Sequence, residues 1–351
     1  MTGLLCYCRQ GFEPELAGEL NERAGAAGIA GYARTQRNDG YVVFVTDEAA
    51  ALNQRLQWRD LIFARQKLQV LAELPQLDAS DRITPIIAAL EGQPRFGDLW
   101  VEHPDSDAGK PLAGLARSFG NALRPALRKA GLLTDKANGK LPRLHIVFVD
   151  GTHAFVCVAD TRDSAPWPLG IPRLKLLPDA PSRSALKLEE ALMTLLTPEE
   201  REALVVPGMR AADLGAAPGG WTWVLTRQHL RVSSIDNGPL RQHVIDTGLV
   251  EHLRADGFHW QPEVPLDWMV CDMVEQPRRV AERMGTWLRE GWCKHAIFNL
   301  KLPMKKRWDE TKLCLDLFAD KADKSLIIRA KQLYHDREEI TVFVTPRPKG
   351  S

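Results

Sequence analysis

From residue 175 onward, short and almost wholly apolar runs alternate with segments long enough to form helices. Strands without a polar face are typical of parallel sheets, in which helices connect the strands and cover both faces. The alternation therefore predicts an α/β domain with a Rossmann-like, mostly parallel sheet. The predicted strands are residues 211–214, 232–235, 268–271, 296–300, 326–328 and 340–344.

The part of the chain before this domain has a different pattern. Three prolines and one glycine within residues 164–172 are typical of a linker. Before the linker we expect two α+β modules, with predicted strands at residues 4–7, 41–46, 61–71, 99–102, 144–149 and 154–159 and helices at residues 13–26, 84–90 and 112–130. The last helix has Leu112, Leu115, Phe119 and Leu123 on one face, and Pro125 is expected to kink it or split it in two.

Composition narrows the class of protein. With 351 residues, 44% of them hydrophobic, the chain is long enough for two or three globular domains. The six cysteines are scattered without a CxxC pair, which favours buried thiols over a metal site. The longest stretch without Asp, Glu, Lys or Arg, residues 214–226, is too short to span a membrane. No signal peptide is recognisable, so we expect a cytoplasmic protein.

The loop after the first strand of the α/β domain is rich in glycine, from Asp213-Leu-Gly-Ala-Ala-Pro-Gly-Gly to Trp221. It lacks both the GxGxxG pattern and the Lys-Ser/Thr of a phosphate-binding loop. Three further acids, Asp236, Asp256 and Asp272, follow later strands or short apolar stretches. Ligands of such sheets bind at the carboxyl ends of the strands, where carboxylates favour a nucleoside without phosphates. S-adenosylmethionine fits, and a dinucleotide-binding domain or helix-capping acids are the alternatives.

Two lysines interrupt this apolar and acidic pattern. Lys301 ends an apolar strand, and Lys187 lies three residues after Ser184 at the start of a helix. A partly desolvated lysine near a second cation can act as a general base, although Lys301 could also extend its ammonium group into water. If the last strand is antiparallel, Glu338 or Glu339 at its start would join the same pocket.

These residues carry a specific resemblance. The segment Asp213–Trp221 resembles the cofactor motif of FtsJ-like RNA 2′-O-ribose methyltransferases, and the ordered set Lys187, Asp272, Lys301, Glu339 resembles their catalytic tetrad. Glu339 fits better than Glu338 because it directly precedes Ile-Thr-Val. Further segments, including Phe298-Asn-Leu-Lys-Leu-Pro-Met-Lys-Lys306 and Gln332-Leu-Tyr-His-Asp-Arg-Glu-Glu339, resemble the ribosomal RNA large subunit methyltransferase M family over nearly the whole chain.

The resemblance implies a domain order and an activity. It implies a ferredoxin-like segment over residues 1–60, a THUMP RNA-binding domain over 61–163, a linker over 164–174 and the methyltransferase domain over 175–351. The implied reaction is transfer of a methyl group from S-adenosylmethionine to the ribose 2′-hydroxyl of a cytidine in 23S rRNA, without a metal. The alternatives are another RNA substrate, a small-molecule substrate, or a non-catalytic RNA-binding protein that has kept the fold.

The same resemblance implies the roles of individual residues. Lys301 is the expected general base, Lys187 and Asp272 orient it, and Glu339 positions Lys187 or the ribose. Asp213 is expected near the methionine moiety. The expected cofactor contacts are Ser184, Ala217, Pro218, Gly219, Gly220, Asp236, Asp256 and Asp272.

Two other methyltransferase chemistries lack their motifs. An amino-group methyltransferase would show Asn/Asp-Pro-Pro-aromatic where this chain has Asp272-Met-Val-Glu. A cytosine C5 enzyme needs a nucleophilic cysteine, and Cys271 precedes the strand-end acid, so we expect it to point into the sheet.

Basic residues suggest how RNA is held. The net charge of the chain is +1, but residues 111–149 carry seven basic residues and one acidic residue. Phosphate contacts are expected from two groups of residues: Arg117, Arg124 and Arg128 on the predicted helix, and Lys305, Lys306 and Arg307 after the catalytic strand. In both groups, a solvated basic surface is the alternative. We expect 23S rRNA as the partner of a monomer, with no obligate protein partner and no membrane.

Overall fold

The computed structural model describes residues 2–348, and the chain divides into two compact units between Pro172 and Arg173. The first unit is built on one seven-stranded sheet with the order β2-β3-β1-β4-β7-β6-β5. Its elements are β1 (Gly3–Tyr7), α1 (Glu13–Ala26), β2 (Tyr32–Arg34), β3 (Tyr41–Val45), α2 (Ala49–Arg55), β4 (Gln66–Leu74), α3 (Ile83–Ala89), β5 (Asp98–Glu102), α4 (Ala113–Lys129), β6 (Arg143–Phe148) and β7 (Ala154–Ala159). Because β1 pairs with β4, this sheet is continuous across residues 60 and 61, and the subdivision predicted there stays a prediction.

The second unit has its own seven-stranded sheet, with the order β10-β9-β8-β11-β12-β14-β13. Strands β8 to β12 are parallel, and β14 runs antiparallel to both β12 and β13. The elements are α5 (Ala185–Thr194), α6 (Pro198–Leu204), β8 (Arg210–Leu214), α7 (Gly220–Arg227), β9 (Arg231–Ile235), α8 (Gln242–Ile245), β10 (Val250–Leu253), β11 (Leu266–Cys271), α9 (Pro277–Arg289), β12 (Cys293–Lys301), α10 (Arg307–Ala322), β13 (Leu326–Lys331) and β14 (Glu339–Pro346).

Two element predictions need correction, and of the kink or split expected at Pro125 only the split is contradicted. Pro125 does not split its helix, because α4 continues past it to Lys129. Pro125 and Asn121, four residues earlier, are both exposed, so water can bind the carbonyl that loses its helical partner. The strand predicted over residues 61–71 begins only at Gln66, because the amides of Ile62 and Phe63 donate to the Glu19 carboxylate instead of to a neighbouring strand.

Two short strands, β2 and β10, were not predicted as strands. Both lie at the edge of a sheet and are partly exposed, so they lack the continuous apolar run that marks the central strands. The apolar face of α4 forms as predicted. Phe119 and Leu123 are buried, and Leu112 and Leu115 pack against the same core.

Candidate active site

Four charged residues meet at the carboxyl ends of the parallel strands in the second unit. Asp272 directly follows β11, Lys301 ends β12 and Lys187 lies in the first turn of α5. Glu339 begins β14 and is paired with Lys301 in the antiparallel register. The antiparallel direction of β14 therefore brings the first residue of the last strand to the edge where parallel strands end.

The four side chains form a closed ring in which lysines alternate with carboxylates. Lys187 Nζ lies 3.1 Å from Asp272 Oδ2 and 2.5 Å from Glu339 Oε1. Lys301 Nζ lies 3.0 Å from Glu339 Oε2 and 3.4 Å from Asp272 Oδ1. Each acid thus bridges both lysines, and the two positive and two negative charges balance, which makes their burial tolerable.

The two lysines differ in their surroundings. Burial alone would lower the pKa of Lys187, but the carboxylates of Asp272 and Glu339 outweigh it and raise that pKa. Burial likewise opposes ionisation of Glu339, yet the lysines hold its pKa below the ordinary value. The Lys301 side chain is 30% exposed and that of Lys187 only 16%, so Lys301 is the more accessible amine.

The choice between Glu338 and Glu339 follows from the direction of each side chain. Glu339 is buried and contacts both lysines. Glu338 is exposed and pairs with Arg307 at 2.7 Å. Glu339 is therefore the carboxylate that completes the ring.

The glycine-rich loop between β8 and α7 is held by the acid at the end of β9. Asp236 Oδ2 accepts a hydrogen bond from the Ala217 amide at 2.9 Å, and Oδ1 accepts one from Gly238 at 2.7 Å. Each oxygen keeps a lone pair, and the side chain is only partly buried. Asp236 can therefore hold the loop and still accept hydrogen bonds from ribose hydroxyls.

The start of α5 packs closely against the same loop. A Cβ on Gly220 would lie 2.4 Å from Ser184 Oγ and 2.6 Å from Ser182 Oγ, so a larger residue would force both serine hydroxyls to move. Gly219, at φ 111°, turns the chain into α7 with Pro218 just before it. Trp221 Nε1 donates to the Ser184 carbonyl at 2.9 Å and fixes the distance between α7 and α5. These close approaches leave backbone polar groups at the strand ends, which suits the nucleoside and amino-acid parts of S-adenosylmethionine.

Asp256 and Asp213 occupy opposite environments. Asp256 is exposed and accepts hydrogen bonds from the Phe258 amide and the His259 ring, so its carboxylate is available to a ligand. Asp213 is buried and accepts a 2.7 Å hydrogen bond from Thr222 Oγ1 under α7. The Asp213 side chain faces α7 and not the open edge of the sheet, and its expected location near the methionine moiety stays a prediction.

Burial raises the pKa of Asp213 to about 7, against the hydrogen bonds from Thr222. In the unfolded chain this carboxyl ionises near its ordinary pKa of about 4. Between these values the folded state holds a proton that the unfolded state lacks, so the free energy of unfolding falls as the pH rises from about 4 to about 7. We expect Asp213→Asn to remove this slope, which amounts to roughly 4 kcal/mol at most. Thermal melts at pH 5 and pH 8 should show a smaller difference for the variant, and equal differences would contradict the assignment.

Sequence reasoning missed the polar side chains behind the ring. Asn299 Nδ2 donates to Asp272 Oδ1 at 3.0 Å, and Thr341 Oγ1 lies 2.8 Å from Asn299 Oδ1. Asn299 precedes Lys301 by two residues and Thr341 follows Glu339 by two. Because alternate strand residues share a face, this spacing was a usable signal.

Some of the basic residues predicted to bind RNA are exposed, and others are already paired with protein groups. On α4, Arg117 is exposed, whereas Arg124 pairs with Asp98 at 2.9 Å and Arg128 donates to the carbonyls of Thr134 and Asp135. Arg124 is thus occupied within its own unit. After β12, Lys305 and Lys306 are exposed, and Arg307 is engaged with Glu338 as described above. The RNA-binding role of both groups stays a prediction.

The cysteines, a possible metal site, a membrane-spanning helix and a separate cavity were the other features considered for function. All six cysteines are buried and outside any disulfide, as expected, and burial raises the pKa of Cys271 to about 12, which opposes a nucleophilic role. Within residues 2–348, no group of three or more His, Cys, Asp or Glu side chains is placed to hold a metal. No helix in that range is long and apolar enough to cross a membrane. A cavity of about 690 Å³ near Arg210, Arg231 and Trp260 includes no residue predicted for the site.

The parallel sheet with its strand-end loop and the Lys-Asp-Lys-Glu ring defines an FtsJ-like, class I methyltransferase. The family model for FtsJ-like methyltransferases matches residues 180–340. The models for the RlmM ferredoxin-like domain and for the N-terminal part of ribosomal RNA large subunit methyltransferase M match residues 1–68 and 81–160.

Curated relatives identify the family. The ribosomal RNA large subunit methyltransferase M of Stenotrophomonas maltophilia (strain K279a) is 83% identical over 344 residues, which cover 98% of this chain and 97% of that protein. The protein of the same name from Xanthomonas campestris pv. campestris (strain B100) is 83% identical over 343 residues, which cover 98% and 99%. This chain therefore belongs to the ribosomal RNA large subunit methyltransferase M family.

Family membership confirms several predictions. The α/β fold class, the methyltransferase class and S-adenosylmethionine as cofactor are confirmed. Among solved structures, TrmN from Thermus thermophilus aligns with 99% of this chain and 100% of its own at 18% identity and a TM-score of 0.36, too weak a likeness to carry an argument. The domain boundaries and the roles of single residues stay predictions.

Proposed function

We propose that this chain transfers a methyl group from S-adenosylmethionine to the ribose 2′-hydroxyl of a cytidine in the 23S rRNA of the large ribosomal subunit. The observation that carries the proposal is the ring of Lys187, Asp272, Lys301 and Glu339 at the strand ends. The family supports rRNA of the large subunit as the substrate. The ring supports a hydroxyl acceptor, because an alcohol needs a group that takes its proton.

When bound, S-adenosylmethionine supplies an electrophilic methyl group. As the 2′-oxygen takes this methyl group, the methyl–sulfur bond would break and S-adenosylhomocysteine would leave. Lys301 Nζ, the more accessible amine of the ring, would accept the hydroxyl proton, which requires that it has first given up a proton of the resting ring. Lys187 is the fixed cation, since its carboxylate neighbours raise its pKa. Asp272 and Glu339 hold both lysine nitrogens in place, and alignment of the reacting atoms lowers the remaining barrier.

The cofactor would be held by the residues around the glycine-rich loop. Asp236 and Asp256 would accept hydrogen bonds from polar groups of the nucleoside. Backbone groups from Ala217 to Gly220, together with Ser184 and Asp272, would line the remainder of the site. We propose that the enzyme acts as a cytoplasmic monomer without a metal, and that the first unit binds RNA through its exposed basic residues.

A direct test uses the purified chain, radiolabelled S-adenosylmethionine and protein-free rRNA. We expect transfer of label to 23S rRNA and at least tenfold less to the small-subunit rRNA in the same reaction. Comparable labelling of both would favour a different RNA specificity. An absence of labelling in all RNA samples, with cofactor binding intact, would favour the non-catalytic RNA-binding alternative.

A further inference from the structure

A row of buried polar side chains leads from the charged ring into the interior of the second unit. Asp272 accepts from the Asn299 amide, Asn299 Oδ1 lies 2.8 Å from Thr341 Oγ1, and that hydroxyl lies 3.0 Å from Asp336 Oδ2. Asn299, Thr341 and Asp336 are at most 1% exposed. Buried polar groups of this kind must form hydrogen bonds with one another, so the donor and the acceptor of each contact in the row can be deduced.

The proton count starts at Asp272. This carboxylate lies between two ammonium groups and can only accept, so the Asn299 NH₂ group must face it. The carbonyl oxygen of Asn299 then faces Thr341, and it too can only accept. The single hydroxyl proton of Thr341 is therefore donated to Asn299. The remaining contact, between Thr341 Oγ1 and Asp336, needs a proton that only Asp336 can supply.

We propose that Asp336 is a neutral carboxylic acid that donates its proton to a hydrogen bond with Thr341. The chain of hydrogen bonds from Asp336 through Thr341 and Asn299 then orients the Asp272 carboxylate between the two lysines of the active site. Asp336 is thus a positioning residue. The inference rests on the proposed function for the roles of those lysines, but the protonation of Asp336 follows from the hydrogen bonds alone.

The surroundings of Asp336 support the neutral form. Burial is the main cause that raises its pKa well above the ordinary value, and the negative charges of Glu339 and Glu190 add to it. The Leu333 amide, which donates to Asp336 Oδ2 at 3.0 Å, and the Lys187 charge act in the opposite direction and are outweighed. The Glu190 carboxylate is held in place by hydrogen bonds from the backbone amides of Tyr334 and His335.

The turn before β14 places Asp336 where it can contact Thr341. Asp336 accepts the amide of Leu333, which closes a tight turn between β13 and β14 and brings the acid under the sheet edge. Thr341 and Glu339 lie on one face of β14, as Asn299 and Lys301 do on β12. One edge of the ring thereby receives a fixed hydrogen bond from the protein interior, and the other is open to substrate.

The protonation state is tested without any methyl transfer. Infrared spectra of the folded wild type and of Asp336→Asn at pH 7 should differ by one carbonyl stretching band of a protonated carboxylic acid. Loss of a carboxylate band in its place would overturn the proposal. Because this readout needs neither cofactor nor RNA, it stands even if the proposed function fails.

The positioning role is tested with a matched pair at Thr341. Thr341→Ser keeps the hydroxyl, and Thr341→Val keeps the shape without it. We expect Thr341→Val to lower kcat about 10- to 100-fold with KM for RNA and cofactor affinity little changed, and Thr341→Ser to stay within about threefold of wild type. The assays are run below the melting temperature of every variant. Equal kcat for Val and Ser, whether both high or both low, would overturn the relay.

Discussion

Replacing Lys301 by alanine is expected to lower the rate of methyl transfer to 23S rRNA by about 10²- to 10⁴-fold, the usual contribution of a positioned general base. Lys301 ends β12 within reach of two carboxylates and is the more exposed lysine of the ring. The alanine side chain cannot take the 2′-hydroxyl proton. The cofactor site lies mainly on other loops, so the affinity for S-adenosylmethionine should change little. Single-turnover transfer of label and calorimetric binding of the cofactor separate these two effects.

Lys294→Ala is the matched control for this experiment. Lys294 lies near the other end of the same strand, pairs with Asp267 and is exposed. It should retain wild-type transfer. If Lys301→Ala transferred label as fast as Lys294→Ala, Lys301 would not be the base.

The second large effect is expected at Asp236. Asp236→Ala removes the acceptor of two backbone amides, those of Ala217 and Gly238, and leaves the glycine-rich loop without its anchor. Hydrogen bonds to a charged group contribute about 1.5–3 kcal/mol each, so we expect at least a 100-fold loss of S-adenosylmethionine affinity. Calorimetry with S-adenosylmethionine or S-adenosylhomocysteine measures this loss.

Asp246→Ala serves as the control for Asp236. Asp246 follows α8, and its carboxylate accepts from Gln242 on the protein surface. Its substitution should leave the cofactor affinity within about twofold of wild type. A similar affinity for both variants would mean that Asp236 neither anchors the loop nor contacts the ribose.

The active-site ring could be predicted because the position of each residue at the end of its own strand is visible in the sequence. Asp272 and Lys301 each stand at the end of an apolar run, and parallel strands end at one edge. The sequence left Glu338 and Glu339 open, because a shift of one residue in β14 exchanges the two faces. Only the pairing of Lys301 with Glu339 decides between them.

Other features could not be read from the chain because they depend on packing between elements. Asp213 looks like any other strand-end acid until α7 covers it and Thr222 donates to it. Arg124 looks like a free surface cation until β5 brings Asp98 beside it. Asp336 lies in a polar stretch of sequence, yet it is fully buried once β13 and β14 pair. In each case the partner is distant in sequence and becomes visible only in three dimensions.

The most direct test of the proposed function is the position of the transferred methyl group on the RNA. Labelled 23S rRNA is hydrolysed in alkali, which needs a free 2′-hydroxyl to cleave each phosphodiester bond. Transfer to a cytidine 2′-hydroxyl predicts that the label is recovered in one alkali-resistant dinucleotide with cytidine at its 5′ side. Label recovered in mononucleotides, as expected for methylation of a base, would contradict the account.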